Sequence, residues 1–199
     1  MTILSLNVWG LGSTPKIRSI KNIINSHKLK IVLLQDTMNC REKTWGYLSK
    51  ICPSWHICAT NATRLFGGLM TIWNPNIFNF KAYHSSVGIL ITSIRHRTKM
   101  CFRIIYVYFP YEHQKDFWNK ADQRRLLNLS SIILVGDLNL IIIPSKHWGH
   151  NCRPDPLEDH FQVLFKEKHL TGITPQPIGL TWHNGRSKLM ALQNDLIIF

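Results

Sequence analysis

The sequence predicts a single α/β domain built on a pair of mixed β-sheets. Three observations carry this reading. A strand–helix–strand unit opens the chain, a meander of strands fills its middle, and a short apolar strand, SIILVGDLNLI at Ser131–Ile141, comes after a later helix. The 199 residues allow one fairly large domain or two very small ones, and a hydrophobic content of 45% can build a proper core. No linker, composition shift or internal repeat divides the chain, so one domain over residues 1–199 is expected.

The elements follow in order. Ile3–Val8 alternates, with Leu4, Leu6 and Val8 on one face and Ser5 and Asn7 on the other, the period of a half-buried strand. Gly10 and Gly12 break it. Ser13 or Thr14 can cap a helix with Pro15 in its first turn. Ile17, Ile20 and Ile24 then recur at helical spacing, with Lys16, Arg18 and Lys21 outward. Ile31–Leu34 is a second strand ending in Gln35-Asp36-Thr37. A strand–helix–strand of this length pairs in parallel and brings both strand ends to one edge. Arg41–Ile51 reads as a helix with Trp45 and Leu48 inward, stopped by Cys52-Pro53. Trp55–Ala59 and Gly67–Trp73 are strands, the second opened by glycines that let backbones approach closely.

Asn74-Pro75-Asn76 is a turn. Phe78–Tyr83, Val87–Ile94 and Met100–Tyr108 are successive antiparallel strands, and Arg95–Lys99 is a basic hairpin loop. Pro110 stops the last of them. His113–Leu129 is expected to be helical, then comes the strand ending at Asp137. Pro144–Pro154 is a loop, Asp155-Pro156 opens a helix running through His169, and Leu157, Phe161, Leu164 and Phe165 share one side of it. A Pro/Gly-rich loop at Thr174–Gly179 leads to a short strand, Leu180–Asn184. The final Asp195–Phe199 looks like a strand cut short, which suggests an incomplete domain.

Lys and Arg number 24 against 11 acids, a formal charge of +13 that favours nucleic acid or another polyanion as partner. The cations are scattered, so a generally basic protein is the plainer alternative. Five cysteines at irregular spacing argue against a disulfide framework and for a reducing, intracellular location, nuclear or cytoplasmic. His147, His150 and Cys152 lie close together, but no second ligand pair completes a zinc site, and they read as loop residues. There is no secretory signal and no apolar run near the ~20 residues of a membrane span. No membrane association and no obligate protein partner are expected.

Five strand ends carry groups able to hold a metal or a phosphate: Asn7, Asp36, Tyr108, Asp137 with Asn139, and Asp195. Each has an ordinary explanation. Asp and Asn after a strand make Asx turns, and a tyrosine at a strand end is commonly a core residue with its hydroxyl satisfied. Their order and context are more specific. LSLNVWGLGS, LLQDT, GGLMTIWN, YVYFP, VGDLNLI, LTWHNGR and NDLIIF together resemble the endonuclease/exonuclease/phosphatase superfamily. More narrowly they resemble the endonuclease domain of plant LINE-type (non-LTR) retrotransposons, over essentially the whole chain.

The resemblance implies a four-layer α/β sandwich, two packed mixed β-sheets flanked by helices, with its site at one end of the sheets. It implies a divalent metal, Mg2+ or Mn2+, and hydrolysis of a phosphodiester in DNA. By that resemblance Asp36 would hold the metal, Asn7 would support the metal ligand or the phosphate, and Asp137 would orient or deprotonate the attacking water. Asn139 would hold a phosphate oxygen, Tyr108 would donate its hydroxyl towards the phosphate or leaving group, and Thr181 would be a site-wall hydroxyl. Asp195 would orient a catalytic histidine. These roles suit the residue types: magnesium prefers carboxylate and water oxygens, and an amide can hold an oxyanion.

Three departures bear on activity. The family's metal carboxylate is Glu, and Asp36 is one methylene shorter. Gln193 and Asn194 replace the basic and apolar residues that precede the family's last Asp. The family's closing Ser-Asp-His motif does not follow before Phe199, and the Asp159-His160 pair lies inside an expected helix. A site lacking that histidine is expected to be weakened or inactive, because general acid–base groups are worth roughly 10²–10⁴-fold. Its last strand would also be missing. The alternatives are a non-catalytic nucleic-acid-binding remnant, and a phosphodiesterase or phosphatase acting on a small or lipid phosphate.

Overall fold

The computed structural model describes residues 2–63, 66–86, 89–96, 101–108, 114–128, 131–138, 147–148, 156–172, 182–183 and 193–194. Strand β1 is Ile3–Asn7, helix α1 Thr14–Ser26, β2 Ile31–Gln35 and α2 Arg41–Ile51. Then come β3 His56–Ala59, β4 Ala62–Thr63, β5 Phe66–Gly67, β6 Leu69–Trp73, β7 Phe78–Ser86, β8 Ile89–His96 and β9 Cys101–Tyr108. Helix α3 is Gln114–Gln123, followed by a 3₁₀ turn at Leu126–Asn128 and β10 at Ile132–Asp137. The remaining elements are β11 His147–Trp148, α4 Glu158–Glu167, β12 Trp182–His183 and β13 Gln193–Asn194. The chain forms two compact units. One comprises Met1–Phe109 with Leu129–Asp137, the other Pro110–Asn128 with Leu138–Phe199.

The first unit holds two mixed sheets, the architecture expected from the sequence. One sheet has the order β1-β2-β6-β3 and the other β10-β9-β8-β7. The opening strand–helix–strand pairs in parallel, Ile3 to Ile31 through Asn7 to Gln35. β6 then runs antiparallel to both β2 and β3. The β7–β8–β9 meander is antiparallel, with a register shift between Ala82 and His84, and β10 joins it in parallel beside β9. The sheets pack on each other, with β1, β2 and β6 against β9 and β10.

Alternation decides what each face of the first sheet meets. Val32, Leu34, Met70, Ile72 and Ile57 point to one side, where Ile17, Ile20 and Ile24 of α1 close a core with Leu11, Leu29 and Ile51. The opposite side faces the second sheet, where Trp73 stacks on Phe80 with ring centroids 4.1 Å apart. Fully burying each isoleucine of the α1 stripe stabilises by about 1.5–3 kcal/mol.

Gly136 has a structural reason to be glycine. Its φ is +138°, and a Cβ there would lie 1.8 Å from the Val107 carbonyl oxygen, so only a bare Cα lets β10 close on β9.

In the second unit, Trp118 of α3 is fully buried and meets Phe161 and Phe165 of α4 edge to face, at centroid distances of 5.5 and 5.9 Å. Lys168 and Asp122 form an ion pair. The short strands β11 and β12 both pair with β13.

Several expectations are corrected. Helix α3 ends at Gln123 rather than Leu129. Arg125 adopts φ +54° and its N–H turns back to the Asp122 carbonyl, closing the helix as a left-handed cap residue does. α4 begins at Glu158, not at Asp155-Pro156. The Pro144–Pro154 stretch contains β11, and its partner β13 lies 45 or more residues away, a pairing that local pattern cannot announce. Trp45, expected inward, is 54% exposed. Arg95 and His96 of the expected basic loop belong to β8, and its positions 97–99 lie outside the described residues. Among the described residues no helix is long and apolar enough to cross a membrane.

Candidate active site

Register brings the candidate residues to one edge of the first unit. In the first sheet β1 and β2 run in parallel and finish side by side, Asn7 opposite Gln35, with Asp36 the next residue. In the second sheet β9 and β10 run in parallel and finish with Tyr108 opposite Asp137. Two parallel pairs therefore end together, one in each sheet. The gap between the sheets is bridged by a hydrogen bond: Asn7 Nδ2 donates to Asp137 Oδ2 at 2.7 Å.

Asp36 is held by the backbone around it. It takes a left-handed conformation, φ +51°, which Asp tolerates better than most residues. Its carbonyl accepts Gly10 N–H at 2.7 Å, and Thr37 continues the ladder by accepting Leu11 N–H at 2.9 Å. Its carboxylate Oδ1 accepts Gly67 N–H at 2.8 Å and the carboxylate also accepts the Tyr108 hydroxyl. The Gly67-Gly68 pair approaches because both residues have positive φ, and a Cβ on Gly68 would lie 2.5 Å from Thr37 Oγ1.

Asp36 is 3% exposed, and burial is the main reason its carboxyl is raised above the usual carboxylate range. The Gly67 and Tyr108 hydrogen bonds oppose that rise, the Asp137 carboxylate adds to it by repulsion, and Lys16 lowers it. Two carboxylates thus feel each other at this edge, and a cation is nearby.

Helical periodicity places Lys16 on the outward side of α1. Its ammonium instead turns to the loop after β1 and donates to three carbonyls, Val8 at 2.8 Å, Trp9 at 2.7 Å and Gly10 at 2.9 Å. Trp9 sits at φ +42°, and its N–H donates to Asn7 Oδ1 at 3.0 Å. The sequence signal for this clamp is a Trp-Gly turn followed by a lysine in the first turn of the next helix, and helical periodicity alone assigns that lysine to solvent.

Asn7, Asp36, Tyr108 and Asp137 are therefore brought together. Asn139, Thr181 and Asp195 lie outside the described residues. Asp159 and His160 are in α4 of the second unit, with Asp159 exposed. Among the described residues no three His, Cys, Asp or Glu side chains converge on a metal-sized space. The donor set at the edge is instead the two carboxylates of Asp36 and Asp137, with the Asn7 amide turning its nitrogen to Asp137 and its oxygen to Trp9 N–H. Two carboxylates fit a hard divalent ion, which commonly takes one or two carboxylates and keeps waters, and its charge would offset the burial and the lesser repulsion that raise Asp36.

Neither a protein-family model nor a curated protein sequence matches the chain. Solved structures do. The endonuclease domain of TRAS1, a telomere-specific non-LTR retrotransposon, superposes with a TM-score of 0.72 at 15% identity, covering 98% of this chain and 82% of that one. An AP endonuclease from Archaeoglobus fulgidus gives 0.67 at 14% identity, over 100% and 86% of the two chains. The 3′ phosphatase NExo from Neisseria, bound to a product DNA hairpin, gives 0.65 at 17% identity over 100% and 86%. These likenesses show a shared fold.

Proposed function

We propose that this chain, which has the fold of the endonuclease/exonuclease/phosphatase superfamily, is a metal-dependent phosphodiester hydrolase acting on DNA, the endonuclease of a LINE-type (non-LTR) retrotransposon of the plant kind. The observation that carries the reading is the pairing of two parallel strand ends across the sheets, with Asn7 on Asp137 and Tyr108 on Asp36. The TRAS1 domain supports the retrotransposon origin, and the Neisseria phosphatase, seen with a DNA hairpin, supports a nucleic-acid substrate. The net charge of +13 favours a polyanion in the same sense.

In this reading Asp137 orients and deprotonates the attacking water, and the Asn7 amide fixes that carboxylate by occupying Oδ2. Tyr108 and the Gly67 N–H steady the Asp36 carboxylate. Asn139 is assigned the phosphate oxygen, Thr181 the site wall and Asp195 a supporting carboxylate. Asp36 and Asn7 would hold Mg2+ or Mn2+, which supplies charge neutralisation at the phosphate when bound. A buried aspartate in place of a longer glutamate makes metal binding weak and turnover slow, since catalytic geometry tolerates only about 0.5 Å of displacement.

The test is nicking of supercoiled plasmid in Mg2+ or Mn2+ beside an Asp137→Ala control. Slow nicking that falls roughly 100-fold or more in the control is expected. Salt-sensitive DNA binding with no nicking in either protein would indicate a non-catalytic nucleic-acid-binding remnant. Hydrolysis of a small phosphate ester without nicking would indicate a phosphatase.

A further inference from the structure

We propose that Trp9 is a stacking platform for an unpaired nucleobase next to the scissile phosphate; this rests on the reading of the strand-end edge as a phosphodiester hydrolase site. The indole is 77% exposed, more than any other large hydrophobic side chain among the described residues. An exposed tryptophan is not itself informative, but the backbone beneath this one is. Trp9 sits at φ +42°, a conformation that bulky residues avoid. Five hydrogen bonds hold the loop there. Trp9 N–H donates to Asn7 Oδ1, Lys16 donates to the carbonyls of residues 8, 9 and 10, and Gly10 N–H donates to the Asp36 carbonyl.

A strained residue persists when its surroundings over-determine it, and such residues gather at binding and catalytic sites. Here the fixed residue contributes nothing to the core. Its ring stays in water, although glycine or asparagine adopts a left-handed backbone at lower cost. The same Asn7 carboxamide holds Trp9 N–H through its oxygen and Asp137 through its nitrogen. The indole is therefore carried two residues from Asn7, whose amide holds the Asp137 carboxylate. A flat π face beside a phosphate site matches a nucleobase, and stacking on an aromatic ring is tolerant of sequence. A base inside an intact duplex already has both faces covered, so the matching substrate is single-stranded or locally unpaired DNA.

Lys16 is a positioning residue in this arrangement. Its ammonium faces the carbonyls of residues 8–10 and the Asp36 carboxylate, and its task is to keep the loop rigid so that stacking loses little conformational freedom.

The test is fluorescence anisotropy with the full chain, in EDTA so that cleavage does not intervene. The probes are a fluorescein-labelled single-stranded 12-mer, its duplex, and a 12-mer of the same backbone in which abasic tetrahydrofuran sites replace the bases. Trp9→Ala is expected to weaken single-strand binding about 5- to 150-fold. Trp9→Phe should keep most of the affinity, and the abasic strand should bind wild type and Trp9→Ala alike. Lys16→Met should fall between wild type and Trp9→Ala on the single strand. The proposal is overturned if Trp9→Ala binds the base-containing strand as wild type does, if it loses the same factor on the abasic strand, or if wild type binds no strand. Failure of the hydrolase reading registers separately, as equal plasmid nicking by wild type and Asp137→Ala. Superimposable circular dichroism melts of the Trp9 variants and wild type establish that the fold is intact.

Discussion

The two faces of the β1–β2–β6–β3 sheet are built on different terms. The face towards α1 is apolar throughout, with Val32, Leu34, Met70 and Ile72 closed by three isoleucines. The face towards the second sheet alternates apolar and polar groups: Leu33 and Leu69 beside Gln35 and Thr71, all buried. Among the described residues Gln35 Oε1, Thr71 Oγ1 and the hydroxyl of Tyr106 have no hydrogen-bond partner. A buried polar atom without a partner carries its desolvation cost uncompensated, so the inner face sacrifices stability that the outer face does not. Tyr106 lies two residues from Tyr108 on β9, and Gln35 directly precedes Asp36. The polar column thus runs under the candidate site. The helix-covered face holds the domain together, and the inter-sheet face carries polarity up to the edge where the carboxylates meet.

The largest effect should come from the outer face. Leu34→Ala removes a fully buried side chain and should lower unfolding free energy by about 2–5 kcal/mol in a urea titration, while folded protein keeps its affinity for DNA. If Leu34→Ala instead lost affinity at little cost in stability, the division between the faces would be wrong. Gly136→Ala follows, because the added methyl meets the Val107 carbonyl; a loss of about 1–3 kcal/mol is expected, read as a lower thermal midpoint.

Asp36→Asn sharpens the contrast from the other side. It should cut metal-dependent nicking by at least about 100-fold, roughly 2.7 kcal/mol of transition-state stabilisation, without lowering the thermal midpoint at neutral pH. The sign follows from the raised carboxyl. A folded-state pKa above the unfolded one means that ionised Asp36 weakens the fold at pH above both values. That penalty is relieved as pH falls through the folded value, and it is gone below the unfolded value. Metal affinity should move the opposite way, lost on acidification at a higher pH than for an exposed aspartate, as Mn2+ titrations by calorimetry would record.

The smallest effect belongs to Thr71→Val. Replacing an unpartnered buried hydroxyl by a methyl of similar shape should change stability by less than about 1 kcal/mol and favour the variant. A clear loss of stability would show that Thr71 has a bonding role.

Much of this was legible from residues 3–36 and 131–137, because alternation and β-branched runs mark strands whatever surrounds them. The parallel pairing of β1 with β2 followed from the intervening helix, and Asn7, Asp36, Tyr108 and Asp137 were visible as polar groups at strand ends. Three things were not visible. The left-handed backbone at Trp9, Asp36 and Met38 is imposed by hydrogen bonds from other segments, and propensity argues against it for Trp and Met. The Lys16 clamp looks like an ordinary helix surface until the loop folds over it. The end of α3 at Gln123 depends on Arg125 turning left-handed, where Arg-Arg-Leu-Leu reads as good helix.

The Asn7–Asp137 bond joins residues 130 positions apart in the chain. At roughly 5–20 residues per second, a ribosome needs about 7–26 seconds between making the first partner and making the second. During that interval a nascent chain can fold β1, α1 and β2 but has no way to complete the edge they lead to. Whatever chemistry depends on this edge therefore begins only after residue 137 has left the ribosome.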